Sequence, residues 1–149
     1  MRRSLLLISV LLGACGPAPV QPERSRDPTA EAWYGQAVNE LATLDSQAKE
    51  LFERGKSDEA AALIQKGEPL STRLLSVPKP TLAATEAASD LDQLYGRMLL
   101  SNKNYGWARL FFQKNLARWK LWQPRTSDTA RRLQEAESGI ADCDRHMAE

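Results

Sequence analysis

LATLDSQAKELFERGKSDEAAALIQKGEPLSTRL (residues 41–74) and SDLDQLYGRMLLSNKNYGWARLFFQKNLARWKLW (residues 89–122) share one pattern at an offset of 48 residues. Ala48, Leu51, Ala60 and Ile64 are spaced by 3, 9 and 4, and Gly96, Leu99, Ala108 and Phe112 repeat those separations. Gln65-Lys66 likewise returns as Gln113-Lys114. In each stretch apolar residues recur every three or four positions, stop at a short turn holding Gly55 or Lys103, and start again. That is the pattern of two amphipathic helices folded back on each other. Small residues at 48, 60, 96 and 108 let two helices approach closely, and larger side chains there would splay the hairpin.

The arrangement resembles the tetratricopeptide repeat, most clearly at Asp58-Glu59-Ala60 and Tyr105-Gly106-Trp107-Ala108. The resemblance implies a short stack of helical hairpins that works by binding other proteins. The chain departs from the family in period, since residues 75–88, with Pro78 and Pro80, are inserted into the 34-residue repeat. Asp92 stands where the family favours Trp, Asn115 stands where it favours Ala, and neither unit has the closing Pro. Stacks of this kind need about three units, so residues 28–40 and 127–147 have to extend and cap the pair. A generic antiparallel bundle with similar spacings is the other reading of the same residues, and both are helix on helix.

Outward from the pair, Asp27 is a capping residue, Pro28 suits the first helical position, and Trp33, Ala37, Leu41, Leu44, Ala48 and Leu51 keep helical spacing. Breaks at Gly55-Lys56-Ser57, Val77-Pro78-Lys79-Pro80, Asn102-Lys103-Asn104 and Gln123-Pro124-Arg125 leave five helical stretches: 28–54, 57–75, 82–101, 104–121 and 127–147. Pro69 predicts that the second ends near Gly67 or kinks there. No stretch alternates as a strand does, so the class is all-α, in one helical domain over 28–149.

The N-terminus carries an address. Arg2 and Arg3 precede an apolar run, Leu5 to Leu12, the two regions of an export signal. Eight helical residues rise only about 12 Å, short of a bilayer. Leu12-Gly13-Ala14-Cys15 resembles the lipobox of bacterial lipoproteins. The resemblance implies that residues 1–14 are a signal peptide and that Cys15 becomes acylated, palmitate being the usual chain. Gly16 after the Cys implies the outer membrane, facing the periplasm. Several acyl chains would hold the protein stably at the bilayer. Residues 15–27 then form the lipidated Cys and a spacer with Pro17, Pro19 and Pro22, extended enough to reach roughly 37 Å at about 3.1 Å per residue. Loss of Arg2 and Arg3 turns the formal net charge of +1 into −1.

Composition narrows the function. The near-neutral balance argues against a nucleic-acid binder. One His and two Cys leave no metal site of ordinary spacing and imply no cofactor. Asp142 and His146 share a helical face beside Cys143, but further zinc ligands are missing. With Cys15 acylated, Cys143 is either buried or paired with another chain. Gly55-Lys56-Ser57 lacks the earlier Gly and the strand of a phosphate loop, and no nucleophile, base and orienting group are in evidence. The chain is therefore expected to be no enzyme.

The fourth stretch carries the candidate partner site. Tyr105, Ala108, Phe112, Leu116 and Trp119 form a core stripe. Trp107, Phe111 and Trp122 form a second, flanked by Lys114 and Arg118. That second stripe is either buried under the fifth helix, with Glu137 and Asp144 pairing the cations, or an exposed aromatic and cationic patch that docks an envelope protein. Residues 97–132 hold nine Lys or Arg and a single acid, Asp128. The excess is either a solvated face or an attraction for an anionic envelope polymer or lipid. The leading reading is a lipid-anchored scaffold or envelope assembly factor, and polymer or lipid binding is the alternative.

Overall fold

The computed structural model describes residues 27–149. The expected signal peptide, Cys15 and the spacer up to residue 26 lie outside the described residues. Within them a 3-10 turn, Pro28–Ala30, is followed by α1 (Ala32–Glu53), α2 (Ser57–Leu75), α3 (Leu82–Ser101), α4 (Tyr105–Leu121) and α5 (Ser127–Ala148). Among the described residues there is no strand, and the chain is all-α.

The first helix differs from its expected start. The Asp27 carboxylate accepts from the Thr29 amide at 3.0 Å, which caps only the 3-10 turn. Glu31 is then extended (ψ 144°), so α1 begins after it.

The repeat is a repeat of backbone geometry. Gly55 and Lys103, 48 positions apart, both take left-handed backbone, φ 76° and 61°. At the first turn the Lys56 amide donates to Leu51 and the Gly55 amide to Phe52, both at 2.9 Å. At the second, the Asn104 amide donates to Leu99 at 2.8 Å and the Lys103 amide to Leu100 at 3.0 Å. These are the paired bonds that close a helix C-terminus through a left-handed residue. The small positions meet as required, with Ala48, Ala60 and Ala108 fully buried. A Cβ on Gly96 would stand 2.8 Å from the Phe112 ring.

Each hairpin, α1 with α2 and α3 with α4, packs along its length; α3 also touches α1 and α2, and α5 covers α4. One apolar core, including Tyr34, Leu41, Ile64, Leu74, Leu91 and Met98, fills the space between α1, α2 and α3. A smaller one, around Ala108, Phe112 and Cys143, joins α4 to α5. The inserted residues become the turn before α3 and its first two turns, where Ala84, Ala87 and Ala88 are buried. Tyr34 fixes this end: its hydroxyl donates to the Leu74 carbonyl and accepts from the Thr81 amide, both at 3.2 Å.

Of the two outcomes expected at Pro69, an end near Gly67 is excluded, because α2 runs through it to Leu75. Pro69 and Gln65, whose carbonyl loses its usual partner, are both exposed, so water can satisfy the freed carbonyl. Gly67 meanwhile packs against Leu41 and Leu91, and that burial holds the segment helical.

Candidate interaction surfaces

Helix α4 separates the five residues of the expected patch. Trp107 is 66% exposed. Phe111 is half-buried against α3, edge-on to Tyr95 with centroids 4.8 Å apart. Lys114 sits 4.7 Å above the Phe111 ring and 2.8 Å from Asp92 Oδ1. Arg118 lies 3.0 Å from Asp92 Oδ2 and also donates to the Asn115 side-chain oxygen. Trp122 is half-buried, edge-on to Trp119. The stripe is thus not roofed by α5, and its cations are paired by Asp92 of α3 and not by Glu137 or Asp144. Asp144 takes Arg109 instead, at 2.6 Å.

Asp92 is the centre of a network that sequence reading missed. Asn115 is buried and its Nδ2 donates to the Ser89 carbonyl at 3.0 Å. Trp119 Nε1 donates to Ser89 Oγ at 2.7 Å. The two departures from the repeat pattern, Asp92 and Asn115, belong to this one polar seam between α3 and α4. Their shared departure from an apolar pattern was the available signal.

What α4 leaves outside is a different line. Trp107, Leu110, Lys114, Ala117 and Leu121 recur at intervals of 3, 4, 3 and 4, and all five are exposed. Leu110 is 49% and Leu121 82% exposed. Between Arg97 and Ser127 the chain holds no acid. Among the described residues Arg97, Lys103, Lys120 and Arg125 make no ion pair, whereas Arg131 and Arg132 are held by Asp90, Asp128 and Glu135. The basic segment therefore divides into cations held by acids, Arg109, Lys114 and Arg118 on α4 with Arg131 and Arg132 on α5, and four without an ion-pair partner, Arg97, Lys103, Lys120 and Arg125.

The second surface is a cleft of about 360 Å³ between α1, α3 and α5, lined by Asp45, Lys49, Asp90, Gln93, Arg97, Arg131 and Glu135 among others. Its walls carry both signs of charge. Asp45 Oδ1 is buried without a hydrogen-bond donor. Burial, reinforced by the charge of Asp90, pushes the Asp45 carboxyl up to about 6. Lys49 and Arg97 are exposed, and among the described residues neither has an acidic partner within ion-pair distance. No residue of α4 lines this cleft.

The remaining polar candidates are accounted for by packing. Cys143 is a buried free thiol, pushed up by burial and by the charge of Asp144. His146 stacks on Tyr105 with centroids 4.9 Å apart, and Asp142 pairs with Arg145. Among the described residues no group of His, Cys, Asp and Glu is placed to hold a metal ion, and none of the helices is long and apolar enough to cross a membrane. No protein-family model, curated protein or solved structure matches the chain.

Proposed function

We propose that the protein is a lipid-anchored envelope scaffold or assembly factor that binds another protein by contact and carries out no turnover. The lipobox-like Leu12 to Cys15 and the Pro-rich spacer support the anchoring and the outer-membrane, periplasm-facing placement. The observation that carries the contact reading is the charged cleft on α1, α3 and α5. There Lys49 and Arg97 lack acidic partners and Asp45 has an unmet acceptor. Buried polar groups without partners cost free energy until a partner supplies them, and mixed charges in a cleft give selectivity for a segment of complementary pattern. Of the patch expected on α4, Trp107 and Lys114 remain available for contact, while Phe111, Arg118 and Trp122 serve packing.

A photo-crosslinking residue in place of Gln93, which also lines the cleft, in the full chain in intact cells, tests this. A discrete adduct with an envelope protein is expected, and it should be lost with Asp90→Lys. Adduct-free protein at normal abundance would remove the reading.

The four cations without an ion-pair partner among the described residues, Arg97, Lys103, Lys120 and Arg125, favour a second reading, in which the basic segment 97–132 binds an anionic polymer or lipid of the envelope.

A further inference from the structure

We infer that the outer face of α4 lies flat on an anionic lipid surface, with Trp107, Leu110 and Leu121 in the headgroup region and Lys103, Lys120 and Arg125 against the phosphates. The inference rests on the second reading above and deepens it by naming the surface and the face that meets it.

Three observations converge. The first is composition: α4 has no acid over its 17 residues and four cations, of which Arg109, Lys114 and Arg118 are held by Asp144 and Asp92 and Lys120 is unpaired, and it exposes a Trp and two Leu along one line. An interfacial helix has this make-up, with cations outside and aromatic or aliphatic groups dipping into the acyl boundary. The second is charge placement. Lys103 precedes the stripe, Lys120 and Arg125 lie at its far end, and none has an acidic partner among the described residues. An anionic headgroup layer meets no carboxylate on this helix.

The third is where the chain leaves the fold. The Tyr34 hydroxyl ties the start of α1 to the start of α3. Ser89 near the start of α3 meets Trp119 near the end of α4. Asp27 and Leu121 are therefore at the same end of the stack. The stripe from Trp107 to Leu121 is about 21 Å long. Twelve spacer residues reach about 37 Å when extended. An acyl group at Cys15 and the whole stripe can thus share one lipid plane.

Intervals of 3 and 4 also suit a helix from another protein or a second copy. Lys114 interrupts that seam at its middle, and the acids beside it, Asp92 and Asp144, are already engaged by cations of α4, which leaves none to set a partner's register. The lipid surface is the occupant that the charge and the spacer both favour.

The test uses the purified full chain in vesicles of equal parts phosphatidylcholine and phosphatidylglycerol with brominated acyl chains. Tryptophan quenching that is present in the wild type and missing in Trp107→Phe isolates Trp107, whatever else holds the protein to the vesicle. The expected result is Trp107-dependent quenching that weakens with salt and is lost in Leu121→Asp, a change at an exposed site that leaves the core intact. Lys120→Glu with Arg125→Glu should raise the lipid concentration for half-maximal quenching at least about tenfold. Equal quenching in wild type and Trp107→Phe, or equal quenching in pure phosphatidylcholine, overturns the inference. Binding of soluble polyphosphate by the same preparation separates the two ideas. Polyphosphate binding without Trp107 quenching keeps the second reading and removes this inference, and absence of both removes both. A photo-crosslinker at Leu110 that captures a protein in cells also overturns it.

Discussion

The two hairpins share one backbone pattern and fill it with opposite chemistry. Leu41, Leu44 and Gly67 in the first correspond, 48 residues on, to Ser89, Asp92 and Asn115 in the second. In the first, Gly67 lets Leu41 and Leu91 close over α2. In the second, Ser89 and Asn115 are hydrogen-bonded and Asp92 holds Lys114 and Arg118. A helix repeat thus specifies where backbones run, while the seam between them can be apolar or polar provided every buried group is satisfied. The polar seam turns the cation of Arg118 inward to α3 and leaves Trp107, Lys114 and Leu121 outside.

The contrast is broken most severely at Asp92. Asp92→Ala leaves the nearly buried Arg118 without its counter-ion and should cost about 3–5 kcal/mol in chemical denaturation. The double change Asp92→Leu with Arg118→Met should recover most of that, since an apolar seam is what the first hairpin uses. A double variant no more stable than the single one would show that the seams are not interchangeable.

The first hairpin has its own polar exception in Asp45. Its folded carboxyl titrates at about 6, above the ordinary 3.8, so folding disfavours the ionised form. That contribution is complete below about pH 4 and is lost as pH rises through 6, by about 2–3 kcal/mol. Asp45→Asn should flatten this part of the stability curve and make the protein more stable than wild type at pH 7.5. Parallel curves for the two proteins between pH 5 and 7.5 would contradict the assignment.

The glycines sharpen the comparison further. Phe112 is pressed between Gly96 and Gly139, where an added Cβ would fall 2.8 Å and 2.6 Å from its ring. Gly139→Ala should cost about 2–3 kcal/mol, because a ring wedged on both sides has nowhere to move. Gly67→Ala meets only leucine methyls at 3.0 Å and should cost less, roughly 1 kcal/mol. Thermal melts of the two variants give the order. The turns should show an effect of similar size: Lys103→Gly should stabilise by about 1 kcal/mol by relieving left-handed backbone, and Gly55→Ala should destabilise by about as much.

Much of this architecture was legible before any coordinates. Apolar spacing located five helices within a residue or two of their ends, except at α1, where Glu31 interrupts the chain. The offset of 48 identified Gly55 and Lys103 as one turn. An end at Pro69 was one expected outcome because local rules count a missing amide but not the burial of Gly67 next to it. The Ser89, Asn115 and Trp119 seam was hidden because Asn115 reads as an exception and Trp119 as an ordinary core residue, and only the packing of α3 on α4 shows that they are satisfied together. The five residues expected as a patch on α4 lie on a mixed set of faces. Trp107 faces water, Phe111 and Arg118 face α3, and the exposed Leu110 and Leu121 lie outside the aromatic stripe. The cleft was not legible, since Asp45, Arg97 and Glu135 come together only when three helices stack.

The proposal as a whole turns on whether the protein is held at a bilayer by its cysteine. Metabolic labelling with a tritiated fatty acid, comparing wild type with Cys15→Ala and following the mass of the mature chain, tests this directly. The account predicts a labelled product that begins at Cys15 and stays with the membrane fraction, with label and retention lost together in Cys15→Ala. An unlabelled wild-type chain that keeps residues 1–14, or one released free of acyl groups, would contradict it.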